Sequence, residues 1–127
     1  MIHSAIYSLL SSDSTIVSGV GTKIEPLIVP PKTTLPVITY AVGPDMEHQT
    51  LDGAVAKESI VKVEVHDTDY HRAETLADAV EVCLSGVRAT IGSVRVMRSV
   101  MTRRESTFDS TEAGHYRVSA DFLFMYV

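Results

Sequence analysis

Apolar and polar positions change period several times along this chain, and each change marks an element. Ile2, Ile6, Leu9 and Leu10 recur at helical spacing and are closed by Ser11, Ser12 and Asp13, which predicts an amphipathic helix over residues 2–11. A shorter turn or helical piece follows around Asp13–Ser18, and Gly19 and Gly21 are expected to break it. Residues 22–29 read as extended but are interrupted by Pro26 and ended by Pro30 and Pro31, which suits an edge strand. Leu35–Val42 is a stronger strand, rich in β-branched and aromatic residues and bounded by Gly43-Pro44. In the stretch that begins at Glu58, Val61, Val63 and Val65 alternate with Lys62, Glu64 and His66, the two-residue period of a strand with one dry and one wet face.

Asp67 or Asp69 is placed to cap the helix that follows. Across residues 70–85, Ala73, Leu76, Ala77, Val80 and Leu84 share one helical face, Arg72, Glu74, Asp78 and Glu81 lie on the other, and Gly86 supplies the stop. Two more strands complete the pattern. The first spans residues 91–101, with Val94, Val96, Arg98 and Val100 on one side; the second spans 115–127, with Val118, Ala120, Phe122, Phe124 and Tyr126 on one side. The last strand is apolar on its second face too, at Leu123, Met125 and Val127. Either it is buried on both sides within the chain, or a neighbouring subunit covers the second face.

The order is α-β-β-β-α-β-β. It predicts an α+β fold with an antiparallel or mixed sheet of about four to five strands and two helices packed on one face. Nothing divides residues 1–127, and a chain of this length suits one domain. Two segments stand outside the periodic pattern. Residues 43–57 are acidic and glycine-containing and read as a long loop or an extended β-arm; residues 102–114 are polar and turn-rich and read as a long hairpin with a mobile tip.

Composition narrows the function. The net charge of −5 and pI near 5.4, with basic residues scattered and only Arg103-Arg104 adjacent, argue against sequence-specific nucleic-acid binding. The start of the chain lacks a secretory pattern, and no apolar run approaches the roughly 20 residues of a membrane span, so no membrane role is expected. The single cysteine, Cys83, cannot form an internal disulfide and is expected to be a small buried hydrophobe.

Candidate chemistry is sparse. The cluster His66-Asp67-Thr68-Asp69-Tyr70-His71 holds metal-ligand residue types, but it sits at a strand-to-helix junction and lacks a recognised ligand spacing. His3, His48 and His115 are isolated in sequence and expected to be exposed polar residues. Asp45, Glu47 and Asp52 do not have calcium-loop spacing. Gly19-Val20-Gly21 is not a phosphate loop, and no serine elbow exists. No catalytic residue, metal or cofactor is assigned.

Three stretches together resemble the tail-completion, or tail-terminator-like, family of siphophage and prophage proteins. They are the N-terminal helix with its Ser/Asp turn, Gly-rich bend and Pro-rich passage into Leu35–Val42; the strand and helix KVEVHDTDYHRAETLADAVEVCLSG at 62–86; and the ending that starts at Tyr116-Arg117-Val118-Ser119-Ala120-Asp121-Phe122. The resemblance covers nearly the whole chain. It implies a non-enzymatic virion protein, made in the host cytoplasm, that forms a homo-oligomeric and hexameric ring at the head-proximal end of the tail tube. Such a ring ends polymerisation and joins the tail to the head connector. Its unlike partners, tube protein and connector, require unlike surfaces. The two irregular segments supply the candidates: Asp45, Glu47, His48, Asp52 and Lys57 in the first, Arg103, Arg104, Glu105, Phe108 and Asp109 in the second. An acidic chain also suits a channel through which DNA passes. Two other readings stay open on the residues alone: a small ligand-binding or regulatory module acting as a dimer, and an enzyme built on the His66–His71 cluster.

Overall fold

A computed structural model of the chain describes residues 2–49, 51, 53, 55–109 and 115–127. The N-terminal helix α1 (Ile2–Ser12) buries Ile2, Ala5, Ile6 and Leu10, as its spacing predicts. Asp13 ends it and starts α2 (Ser14–Val20), its carboxylate accepting from the amides of Thr15 and Ile16. Gly19 does not break this second helix but lies inside it. A Cβ there would collide with Leu76 Cδ2, so the missing side chain is what lets α2 close on the helix that carries Leu76. The break comes at Gly21, whose φ of 62° is in the left-handed region.

The sheet has more strands than the pattern suggests. Seven are present among the described residues: β1 (Ile24–Pro26), β2 (Val37–Val42), β3 (Met46–Gln49), β4 (Val55–Asp67), β5 (Ala89–Ile91), β6 (Val94–Asp109) and β7 (His115–Tyr126). They are ordered β1-β2-β4-β7-β6-β5, with β3 beside the start of β4. All neighbours are antiparallel except β1 and β2, so the sheet is mixed. The third helix, α3 (Tyr70–Leu84), makes with α1 and α2 three helices where two were expected.

The extra strands have local causes. Residues 22–29 form only the three-residue β1, because Leu27 turns to a φ of 70° and leaves the sheet. The span 91–101 is not one strand: Gly92, at φ 60°, makes a turn that folds β5 back on β6. Beyond that turn β6 runs to Asp109, so residues 102–109 are one limb of the long hairpin expected there, paired with β7. Two bulges interrupt β6, between Val96 and Arg98 and between Met101 and Arg103. Each shifts the alternation by one residue. The first puts Ser99, not Arg98, on the side of Val94 and Val96, which corrects the simple alternation of residues 94–100.

The three helices and every described strand except β3 contribute to one core on the helix side of the sheet. Val61, Val63 and Val65 of β4 pair with Phe122, Ala120 and Val118 of β7 and are buried beneath Leu76, Ala77, Val80 and Leu84 of α3. Phe122 and Phe124 are the largest fully buried side chains. Burying side chains of this kind contributes about 1.5–3 kcal/mol each. The predicted faces of 70–85 and 115–127 are the ones buried.

The junction between β4 and α3 is held by charge. Asp69 caps the helix by accepting from the Arg72 amide. Asp67, fully buried, accepts from the amides of Thr68 and Asp69 and from Arg72 Nε and Nη2, both at 2.6 Å. Burial alone would raise its pKa, but the Arg72 guanidinium and the two amides outweigh that and hold the carboxyl below its ordinary value.

Candidate assembly surfaces

The first irregular segment is the β-arm of the two forms foreseen. The chain leaves β2 at Gly43, whose amide donates to Ile60 O at 2.8 Å, and continues along the same edge of β4 as β3. Met46, Glu47, His48 and Gln49 face Glu58, Lys57, Ala56 and Val55, and all four β3 residues are exposed. Two bonds tie the arm to the body: Ser59 Oγ donates to Gly43 O at 2.9 Å, and the Tyr126 hydroxyl donates to Asp45. Burial, and then the Asp45 carboxylate, push the Tyr126 phenol well above its usual range. His48 lies 3.5 Å from Glu58. Leu51 is wholly exposed, whereas Asp52 is outside the described residues.

In the second segment the bulges divide the labour. Arg104 turns toward α3 and reaches Glu74 and Asp78, each at 2.7 Å, and Glu81 at 3.4 Å. The Ser106 hydroxyl also donates to Glu74 and, opposed by burial and aided by Arg104, holds that carboxyl below its ordinary range. Arg104 therefore fastens the helix to the sheet. Arg103 and Glu105 point to the opposite face and pair with each other at 2.5 Å. Phe108 is exposed and packs on Tyr116, which also meets Tyr70. The hairpin tip at 110–114 and the side chain of Asp109 are outside the described residues.

Leu123, Met125 and Val127 lie on the sheet face away from the helices and are not fully buried. Among the described residues no helix of the chain lies over it: α3 packs on β4, β6 and β7 from the side of Phe122 and Phe124, and α1 packs on β1 and β2. One end of this face is apolar, with Ile60 beside Leu123 and Leu123 beside Val100. The other end alternates in charge. Lys62, Asp121 and Arg103 form one row across β4, β7 and β6, and Glu64, Ser119 and Glu105 form the next. Arg117 reaches Glu64 at 3.2 Å. Such a face is solvated but self-complementary in its pattern, which suits a protein surface better than a reactant.

The histidine cluster does not assemble as a metal site. His66 is buried, with Nε2 3.1 Å from Thr39 Oγ1 and Nδ1 3.1 Å from His115 Nε2. His71 is instead exposed on α3, edge-on to Tyr70. His115 is thus not isolated: the register that pairs Asp67 with Tyr116 and His66 with Arg117 carries it to His66 across 49 positions of sequence. One ring nitrogen of the pair must donate and the other accept. Among the described residues no three His, Cys, Asp or Glu side chains gather as ligands. Cys83 is half-buried, donates to Leu9 O at 3.2 Å, and has its thiol pushed up to about 11 by burial and then by Asp13. That is the state of an unreactive thiol.

One surface was not foreseen from sequence. From Val87 to Arg104 there is no acidic residue; Arg88 and Arg95 line one hollow at the β5–β6 corner and Arg98 follows on β6 opposite Met125, all three exposed. The signal was the run without carboxylates rather than any cluster of arginines, since the three are spread over eleven positions.

Exposed strand edges, an uncovered sheet face and segregated charge define a class of protein whose chemistry is contact with other proteins. Among the described residues no helix is long and apolar enough to cross a membrane. Residues 4–126 match the family described as tail completion protein gp17, and the chain belongs to that family. It is a structural protein of bacteriophage-type virions, of the tail-completion class. No curated protein sequence matches it. Among solved structures it is similar to a chain of the "virion of native gene transfer agent (GTA) particle", at 18% identity and a TM-score of 0.73, covering 95% of this chain and 90% of that one. That likeness shows a shared fold.

Proposed function

We propose that the chain forms a closed, hexameric ring at the head-proximal end of the tail tube, where it stops tube polymerisation and presents a new surface to the head connector. Membership of the tail-completion family carries this reading. The geometry supports it in two ways. A ring needs two unlike patches on each subunit whose rotation closes, and the molecule has unlike lateral edges in β3 and β5. A joining protein also needs two unlike axial surfaces, and the Gln49–Val55 end of the β3–β4 arm and the Asp109–His115 end of the β6–β7 hairpin lie at opposite ends of the sheet. The arm offers Asp45, Glu47, His48, Asp52 and Lys57, and the hairpin offers Arg103, Glu105, Phe108 and Asp109. Subunits fold in the host cytoplasm and are carried into the virion by these contacts.

The experiment trims each element in turn. Met46 lies opposite Glu58 and Phe108 opposite Tyr116, so residues 47–57 and 109–115 can each be replaced by an Asn-Gly turn without changing register. Either trimmed protein should keep its fold, read by far-UV circular dichroism and cooperative melting, yet fail to join tails to heads. Normal joining by a protein carrying both replacements refutes the proposal.

A further inference from the structure

Across the end of the sheet one row runs through every strand there. It links Ala89 of β5, Val96 of β6, Tyr126 of β7, Lys57 of β4 and Glu47 of β3. The strands β5 and β3 are therefore the two lateral edges of the same end of the sheet, four strand spacings or about 19 Å apart. Neither has a second strand partner among the described residues. Unpaired edges of this kind are templates for another chain unless something protects them.

The two edges carry opposite charge. At the β5 side Arg88, Arg95 and Arg98 are exposed, and none forms an ion pair among the described residues. At the β3 side Asp45, Glu47 and Glu58 outnumber the single cation Lys57. Each edge also exposes apolar surface: Met97 on one, Met46 and Val55 on the other. In a chain of net charge −5, three unpaired arginines gathered at one edge call for an acidic counterpart, and the opposite edge of an identical copy is one.

We infer that subunits associate head to tail, with the acidic β3 edge of one copy seated against the Arg88–Arg95–Arg98 corner of the next. The inference rests on the ring reading and names its interface. Because the two patches differ, the contact is heterologous and repeats from subunit to subunit. Because it is charged and at the surface, it weakens as salt rises.

Cross-linking and charge reversal test it together. Glu47→Cys and Arg95→Cys are introduced into one chain that also carries Cys83→Ser. Within a copy these positions, on β6 and β3, are three strand spacings or about 14 Å apart, well beyond the roughly 7 Å that a disulfide tolerates between Cα atoms. Oxidation should therefore give a ladder of covalent oligomers, whereas each single-cysteine control stops at a dimer. In parallel, Arg95→Glu/Arg98→Glu and Glu47→Arg/Glu58→Arg are made as two separate proteins. Each alone should lose association at least tenfold by light scattering, and an equimolar mixture should recover it, since every contact in an alternating ring is then again between opposite charges. Circular dichroism confirms that both remain folded.

Oligomers of unchanged mass with neither ladder nor reversal effect would overturn this interface while leaving the ring reading standing. Reversals that abolish retention of duplex DNA without altering mass would also overturn it and assign the corner to phosphates. A chain that stays monomeric at every concentration, and forms no ladder in the presence of tail tubes, overturns both.

Discussion

Replacing Asp67 by Asn removes one charge from the junction between β4 and α3 and leaves its shape. Asp67 accepts four hydrogen bonds, two from Arg72 and two from backbone amides. An asparagine keeps one acceptor oxygen but turns an NH₂ group toward the guanidinium. Hydrogen bonds to charged groups contribute about 1.5–3 kcal/mol, and breaking a buried ion pair costs about 3–5 kcal/mol. The lower range applies, because the Arg72 side chain is 48% exposed and regains water. We expect a loss of about 2 kcal/mol near neutral pH, which lowers Tm by about 6–10 °C in a chain of this size. Sign and pH window follow from the depressed carboxyl pKa. A group depressed on folding contributes stability that is full above its unfolded value, about 3.9 for Asp, and is lost as pH falls through the folded value. The gap between wild type and Asp67→Asn should thus be full at neutral pH and narrow as pH falls below the unfolded value and through the lower folded one. Calorimetric melts of both proteins across that range measure it. An unchanged Tm at neutral pH, or a gap equally wide in acid, refutes the account of this junction.

Gly19→Ala places a methyl group against Leu76 Cδ2 and should cost about 1–3 kcal/mol by urea unfolding, with part recovered by adding Leu76→Val. Cys83, with its thiol held at about 11, should resist aromatic disulfide reagents at pH 8 in the folded protein and react at once in denaturant; prompt reaction of folded protein contradicts its placement against Leu9. Tyr126→Phe removes the bond to Asp45 while keeping the ring in the core. Amide exchange should then quicken in residues 43–49 and stay unchanged in α3.

The elements best read from sequence are those whose period is set by a single buried face. Val61, Val63 and Val65, the Ala73-to-Leu84 stripe of α3, and Val118 to Tyr126 each report their own burial, so local spacing suffices. What escaped depends on partners distant in sequence. The edge strand expected over 22–29 is present as β1, but its parallel pairing of Ile24–Pro26 with Ile38–Tyr40 is recorded by no local pattern. The bulges of β6 are fixed by the register against β7 and reverse the roles of Arg98 and Ser99. Gly19 looks like a helix breaker until Leu76 is placed above it. His66 and His115, and likewise Arg88, Arg95 and Arg98, acquire meaning only once the strands are side by side. Of the interface candidates, those on the arm could be named from their irregular, acidic segment. The division between Arg104, spent on α3, and Arg103, free of it, required the second bulge.

The central claim is that this protein ends the growth of a tail tube. Tube protein from the same particle, polymerised alone and then with this chain added, tests it directly when tube length is followed by electron microscopy. The account predicts that elongation stops at one end, that a ring of subunits is visible on that end, and that the capped tubes then accept head connectors. Tubes that lengthen at an unchanged rate, with no added density at either end, would contradict it.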